Sequence, residues 1–205
     1  MLTQVTSIRV PQEERTRAMR ARLLEATIES LVERGWAGTS TTVVSQRAGV
    51  SRGAQLHHFP TKNALVLAAV EHLSEARRVE LRTAAATLPT GPRHTRAVLG
   101  VLAEHFTSPI FTAALELWVA ARTDANLLAA VGPLEQRVGR EVHRLTVDLL
   151  GVDESRPGTR ELVQATLDLV RGLGLANTIS DDRRRRDRIL DAWADLLDVH
   201  LTEPA

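Results

Sequence analysis

Apolar residues recur every three or four positions along most of this chain, and this spacing is typical of one face of an α-helix. No segment shows the strict alternation of apolar and polar residues that marks a half-buried strand. The pattern therefore predicts an all-α protein of about nine helices. The predicted helices cover residues 12–35, 40–48, 51–59, 61–86, 93–107, 109–123, 125–151, 159–179 and 182–201.

A tight turn between two short helices is predicted within residues 39–65. Ser40 and Ser51 are each placed to cap one of these helices, and Gly49 between them is the residue type that enters the left-handed region without penalty. Two helices joined in this way form a helix-turn-helix, whose second helix enters a DNA major groove. Lys62 follows at the start of the next helix, where an N-terminus and a lysine together favour a phosphate.

The same stretch resembles the N-terminal DNA-binding signature of the TetR/AcrR family of transcriptional repressors. One position departs from the family pattern, because Leu56 stands where many members have a tyrosine that touches a DNA phosphate. This departure shifts the expected phosphate contacts toward Lys62, His57 and His58. The residues that match the pattern are Thr39, Ser40, Val44, Ser45, Ala48, Gly49, Val50, Ser51, Gly53, Phe59, Thr61, Lys62 and Leu65.

The motif and the resemblance together give a set of candidate DNA contacts. Arg52 and Gln55 are the predicted base readers, because arginine suits guanine and glutamine suits adenine in the major groove. The alternative for the stretch is an ordinary helical hairpin in a helical bundle. The candidate DNA contacts are Thr39, Ser40, Thr42, Arg47, Ser51, Arg52, Gly53, Gln55, His57, His58, Thr61 and Lys62.

The net charge of +1 conceals an uneven distribution of charge. Residues 1–62 carry nine basic and five acidic side chains, a surplus of +4, and the remaining residues carry a net charge of −3. Random placement could give such a split, but a basic end also suits a protein that presents that end to a polyanion. Arg15, Arg17, Arg20 and Arg22 cluster in the first predicted helix, which family members bring near the DNA backbone.

Composition narrows the remaining classes. The chain has no cysteine, which excludes disulfides and thiolate metal sites. No apolar run approaches the length of a membrane span, and the first ten residues lack a signal-peptide core, so we expect a cytoplasmic protein with no membrane partner.

A linker with two prolines and a glycine at residues 88–92 divides the chain. We predict an N-terminal helix-turn-helix DNA-binding domain over residues 1–62, a bridging helix over 61–87, and a larger helical domain over 88–205. The resemblance implies that this larger domain binds a ligand and forms a dimer.

The last two predicted helices each carry a broad apolar stripe. In the resembling family, these helices pack against their copies in a second subunit as a four-helix bundle, which implies a homodimer. A monomeric core is the alternative explanation of such stripes. The expected interface residues are Leu162, Leu169, Leu173, Ile189, Trp193 and Leu197.

The resemblance also implies an inducer pocket among the central helices, for a small-molecule effector whose identity the sequence does not specify. Plain core packing is the alternative for the residues there. The candidate ligand contacts are Leu102, His105, Phe106, Phe111, Leu115, Trp118, Arg122 and Asn177.

Enzyme chemistry finds no support in the sequence. The sequence contains none of the common catalytic motifs, namely the Glu-x-x-His pairs of di-iron bundles, HExxH, the Walker loop, GxGxxG and GxSxG. We therefore expect no catalytic residue, metal or cofactor. The sequence instead predicts a ligand-responsive transcriptional repressor that binds a palindromic operator in double-stranded DNA as a dimer and is released by an inducer. A constitutive architectural DNA-binding protein without a ligand is the alternative.

Overall fold

The computed structural model describes residues 12–202, and within that range it contains nine helices and no strand. This confirms the predicted all-α fold. The helices are α1 Gln12–Gly38, α2 Thr41–Arg47, α3 Arg52–His58, α4 Lys62–Ala85, α5 His94–Phe106, α6 Pro109–Ala121, α7 Ala125–Leu150, α8 Thr159–Asn177 and α9 Arg183–Thr202.

The local signals that predicted the helix-turn-helix act as expected. The Ser40 hydroxyl accepts a hydrogen bond from the Val43 amide at 3.2 Å, and Ser51 caps α3 in the same way. Gly49 in the turn has a φ of 62°, in the left-handed region that favours glycine. Gly35 has a φ of 64° and breaks α1 at the residue where the sequence predicted its end.

The chain divides into two compact units, one ending at Val70 and the other beginning at Glu71. The division falls inside α4, so this helix contributes to both units. The first unit holds α1, α2, α3 and the start of α4 around a small apolar core. Its most deeply buried side chains include Leu23, Leu31, Val44, Leu65 and Val66.

In the second unit, α5 packs against α7, α8 and α9, and α6 packs against α7. Gly174 on α8 permits one of these close approaches, since a Cβ atom there would lie 2.9 Å from the Phe106 carbonyl carbon and closer still to its oxygen. The core of this unit includes Val98, Leu99, Val163, Leu167, Val170, Leu190 and Ala194.

Two prolines lie in the central helices. Pro109 is the first residue of α6, at the position where the sequence predicted this helix to begin, and the Ser108 side chain caps it. Pro133 lies inside α7, which continues through it to Leu150. Among residues 12–202, no single helix is long and apolar enough to cross a membrane. Within the same range, α5 and α6 taken together are the one pair with the length and composition of a membrane span, and they are bent by 56° relative to each other.

Candidate nucleic-acid interface

Helix α3 exposes one side to solvent and buries the other in the first unit. Arg52, Gly53, Leu56 and His57 are exposed on the outer side. Phe59, just past the end of the helix, is buried and anchors the inner side. The outer side of α3 therefore carries two side chains with hydrogen-bond donors, one apolar side chain and one glycine.

Gln55 does not belong to that outer side, which corrects its assignment as a base reader. Its side chain is fully buried, and its Nε2 donates a hydrogen bond to the Phe59 carbonyl at 2.6 Å. The residues lie one helical turn apart, so the amide ties the end of α3 to its own middle. A side chain held in this way cannot reach a base edge.

Thr39 and Arg47 are also turned into the first unit, against the expectation that they contact DNA. Thr39 is buried and donates its hydroxyl to the Gly35 carbonyl at 2.9 Å. The Arg47 guanidinium pairs with the carboxylates of Glu29, at 3.4 Å, and Glu33. The hydrogen bond from Arg47 is the main reason why the pKa of Glu33 is lowered. Arg47 thus holds α2 against α1, while Thr39 bonds back to the end of α1.

The hydroxyl residues at the helix starts remain accessible. Ser40, Thr42, Ser51 and Thr61 are exposed. Thr61 caps α4 by accepting from the Ala64 amide at 3.0 Å, as Ser40 and Ser51 cap the two preceding helices. A hydroxyl that accepts in a cap still carries its own proton, which remains available to a phosphate oxygen.

Lys62 has a partner inside the first unit that the sequence did not reveal. Its Nζ donates to the Trp36 carbonyl and lies 3.9 Å from the centre of the Trp36 ring, a cation–π contact. Partial burial lowers the pKa of this ammonium. Lys62 thus joins the start of α4 to the end of α1, and its contact with a DNA phosphate stays a prediction.

A second cation packs on an aromatic ring at the end of α3. The Arg20 guanidinium lies 4.6 Å from the centre of the Phe59 ring. Burial, and then the charges of His57 and Arg20, lower the pKa of His58, which is half-buried beside its exposed neighbour His57. His57 therefore faces outward, while His58 faces partly into the unit.

The arginines of α1 add positive charge to the same unit. Arg15, Arg17, Arg20 and Arg22 are all exposed. Together with Arg52 they give the first unit an accessible set of cations suited to phosphate contacts.

In the second unit, the candidate ligand contacts mostly form core. Leu102, Phe106 and Phe111 are buried, and the two phenylalanine rings meet edge to face with centroids 5.1 Å apart. The Phe111 ring is 5.9 Å from Trp118, and Leu115 packs against the same core. These buried ring contacts favour the core-packing alternative for these residues.

The other candidates in the central helices are scattered. Arg122 is exposed. Asn177 accepts a hydrogen bond from the Arg186 guanidinium at 2.8 Å, between the end of α8 and the start of α9. The Trp118 indole donates to Glu135 at 3.0 Å, and burial raises the pKa of that carboxyl. Sequence reasoning missed Glu135, although it stands beside Leu134 within the apolar spacing of α7.

One small cavity lies between the second half of α4, α5 and α7. Its volume is about 30 Å³, and His105 is the one predicted ligand contact that lines it. Arg78, at its edge, pairs with Glu75 and lies 4.0 Å from Glu141. The cavity has room for a water molecule or two but not for an organic effector. It is lined by Ser74, Arg78, Leu81, His105, Val138, Glu141, Val142 and Leu145.

Two of the expected interface residues belong to the core of their own chain, which corrects their assignment. Leu173 and Leu197 are buried within the second unit. Trp193 is half-buried and donates its indole N–H to Thr166 at 3.0 Å. Leu162, Leu169 and Ile189 are half-buried as well. The large apolar side chains that α8 and α9 expose are Leu175, Leu196 and Val199, and Ile179 follows α8.

No group of three or more His, Asp or Glu side chains in the described range is arranged to hold a metal ion.

Comparisons with known proteins place these features in context. A family model described as bacterial regulatory proteins of the tetR family matches residues 23–69, which span the helix-turn-helix. The chain is 31% identical over 186 residues to the HTH-type transcriptional regulator CymR of Pseudomonas putida, a match covering 90% of this chain and 92% of CymR.

Solved structures share the fold. A transcriptional regulator from Rhodococcus sp. Rha1 has a TM-score of 0.70 and 20% identity, with 91% of this chain and 99% of that chain covered. The multidrug binding protein EbrR, solved in complex with imidazole, has a TM-score of 0.60 and 22% identity, with 91% and 96% covered.

Proposed function

The chain belongs to the TetR family of bacterial regulatory proteins, and from this premise we propose that it is a repressor released from its operator by a small molecule. It is a DNA-binding transcriptional regulator and not an enzyme, as are the relatives it matches. The repressor acts in the cytoplasm as a homodimer on a palindromic operator in double-stranded DNA.

The outer side of α3 is the observation that carries this proposal. It presents Arg52 and His57 to solvent, and both side chains have donors that suit the acceptors of guanine in a major groove. The exposed arginines of α1 supply charge for phosphates. One such unit contacts one half-site, so two units in a dimer would contact half-sites about 34–36 Å apart or a multiple of that distance.

The exposed leucine and valine of α9 support the dimer. Leu196 and Val199 lie three residues apart and so share one side of the helix, and Leu196 is 52% exposed. Large apolar side chains grouped on one helix side favour association with another apolar surface. We propose that this side of α9, with Leu175 of α8, lies in the dimer interface.

A matched pair of substitutions tests the dimer. Leu128 on α7 has the same exposure as Leu196, 52%, so aspartate at either position costs the monomer a similar amount of stability. Leu196→Asp should give a monomer in sedimentation velocity with far weaker operator affinity, whereas Leu128→Asp should remain a dimer. A Leu196→Asp protein that stays dimeric and keeps its affinity would contradict this interface.

The cavity near His105 holds only about 30 Å³, so an organic effector must enlarge it or bind elsewhere in the second unit. EbrR, which has the same fold, is described as a multidrug binding protein and was solved with imidazole, and this supports a small-molecule site in this chain. An effector releases DNA only if it binds one conformation more tightly than the other. Because α4 contributes to both units, we propose that it transmits the change.

The core packing of Phe106, Phe111 and Trp118 also fits one alternative, a DNA-binding protein with no effector. A screen of small organic molecules against the operator complex separates the two functions. Release by a compound that leaves the dimer intact supports the repressor. Operator binding that no compound weakens supports the constitutive protein.

A further inference from the structure

Helix geometry places one apolar side chain near the middle of the exposed side of α3. Successive residues of a helix are rotated by about 100°. Taking Arg52 as the origin, Leu56 lies at about 40°, Gly53 at about 100° and His57 at about 140° around the helix axis. The buried Gln55 lies at about 300°, outside the arc from Arg52 to His57. Gly53 and Leu56 therefore form the centre of the exposed arc, with Arg52 and His57 at its edges.

The glycine at this centre is not required by the fold of the first unit. A Cβ atom at Gly53 would meet nothing within 4 Å, and its φ is not positive. Glycine is also the weakest helix former after proline. A glycine that the unit does not need, at the centre of its exposed helix side, is explained if another molecule approaches the backbone closely there.

Leu56 stands beside that glycine and is 39% exposed. Exposure of an apolar side chain to water does not stabilise the protein. In a DNA major groove, however, the C5-methyl group of thymine is an apolar group that such a side chain can contact. The positive charge of the first unit, with exposed Arg52 on α3 and exposed arginines on α1, selects a polyanion as the molecule that covers this surface.

We propose that Leu56 reads a thymine in each operator half-site through its C5-methyl group, and that Gly53 permits the close approach this contact needs. This inference rests on the proposed operator binding. It assigns Leu56 a role in sequence specificity, in place of the phosphate contact that a tyrosine would make at this position.

Uracil tests the contact directly, because it differs from thymine only by lacking the C5-methyl group. The probe is a duplex that the full-length wild-type protein selects from a random-sequence pool, with each thymine replaced in turn by deoxyuridine. Fluorescence anisotropy gives the dissociation constants of wild-type, Leu56→Ala and Leu56→Met proteins. Burial of one methyl group is worth about three- to five-fold in affinity.

We expect at least one thymine in each half-site whose replacement weakens wild-type binding by about three- to five-fold. The same replacement should leave Leu56→Ala within about two-fold, while Leu56→Met, which keeps an apolar side chain of similar length, retains the effect. Gly53→Ala should fold at least as stably as wild type and lose at least about five-fold in operator affinity, because its methyl group would crowd the groove.

The inference and the proposed function fail in different ways. If the wild-type protein selects no sequence from the pool, operator binding itself is wrong. If it selects an operator but uracil affects wild type and Leu56→Ala equally at every thymine, Leu56 does not read a methyl group. Full operator affinity in Gly53→Ala would overturn the close approach at this glycine.

Discussion

Replacing Gln55 distinguishes a base reader from a buried structural residue. Gln55→Ala removes the hydrogen bond to the Phe59 carbonyl, worth about 1 kcal/mol, and leaves that carbonyl without this donor. It also removes a buried methylene, worth about 0.8 kcal/mol. One gain offsets part of this loss, because the buried Oε1 has no hydrogen-bond partner among residues 12–202. We expect the first unit to lose about 1.5–3 kcal/mol of stability.

Hydrogen–deuterium exchange of peptides covering residues 41–59 measures this loss in the full-length protein. Each 1.36 kcal/mol corresponds to a tenfold change in an equilibrium constant, so the amides of α3 should exchange about 10- to 150-fold faster. Gln55→Met is the matched control, since it keeps most of the packing and removes only the amide, and it should lose about 1 kcal/mol.

The same proteins then bind a selected duplex and a random one under conditions where both are folded. The ratio of the two affinities should be unchanged in Gln55→Ala. Exchange as slow as in wild type, together with a loss of preference at a single base pair, would refute the buried role and restore Gln55 as a base reader.

Two further predictions concern the second unit. Gly174→Ala should lower the free energy of unfolding of this unit by at least about 1–3 kcal/mol in urea denaturation, because the added Cβ meets the Phe106 backbone. Gly139→Ala is the control and should be neutral or stabilising, since a Cβ there would meet nothing within 4 Å. Equal stabilities of the two variants would contradict the close approach of α8 to Phe106. Burial raises the pKa of Glu135 above 4.5, so its contribution to stability is fully present below pH 4.5 and is lost as the pH rises through the folded-state pKa. Glu135→Gln should therefore gain stability over wild type as the pH rises toward neutral, and a difference that does not change with pH would show that the carboxyl is not perturbed.

The sequence predicted the elements of the fold because their signals are local. Ser40, Ser51 and Gly49 act on backbone groups within four residues, so their capping and turn roles followed from residue type and spacing. The resemblance to the family rested on the same short stretch.

The direction of side chains was harder to predict, because it depends on the rotation of each helix. Gln55 was expected outside because it is polar, yet it lies four residues before the apolar Phe59 and therefore on the buried side. The assignment of Leu173 and Leu197 to the dimer interface was wrong for a related reason. Their helices have two apolar sides, and only packing decides which side belongs to the chain's own core.

Pairing between distant residues could not be predicted at all. The contact of Lys62 with Trp36 joins residues 26 positions apart, and no local sequence pattern predicts it. The same holds for the bond between Trp118 and Glu135.

Replacing Arg52 tests most directly whether the outer side of α3 reads DNA sequence. The measurement is the affinity of full-length Arg52→Ala for a selected duplex and for a random duplex, at a series of salt concentrations. Arg22→Ala, which removes one of the exposed arginines of α1, is measured in the same way as the control. Arg52→Ala should lose about 1–3 kcal/mol on the selected duplex and little on the random one. Arg22→Ala should weaken binding to both duplexes equally. It should also reduce the slope of log affinity against log salt concentration by the amount expected for about one phosphate contact. Equal losses on both duplexes in Arg52→Ala, or no loss on either, would contradict sequence reading by this side of the helix.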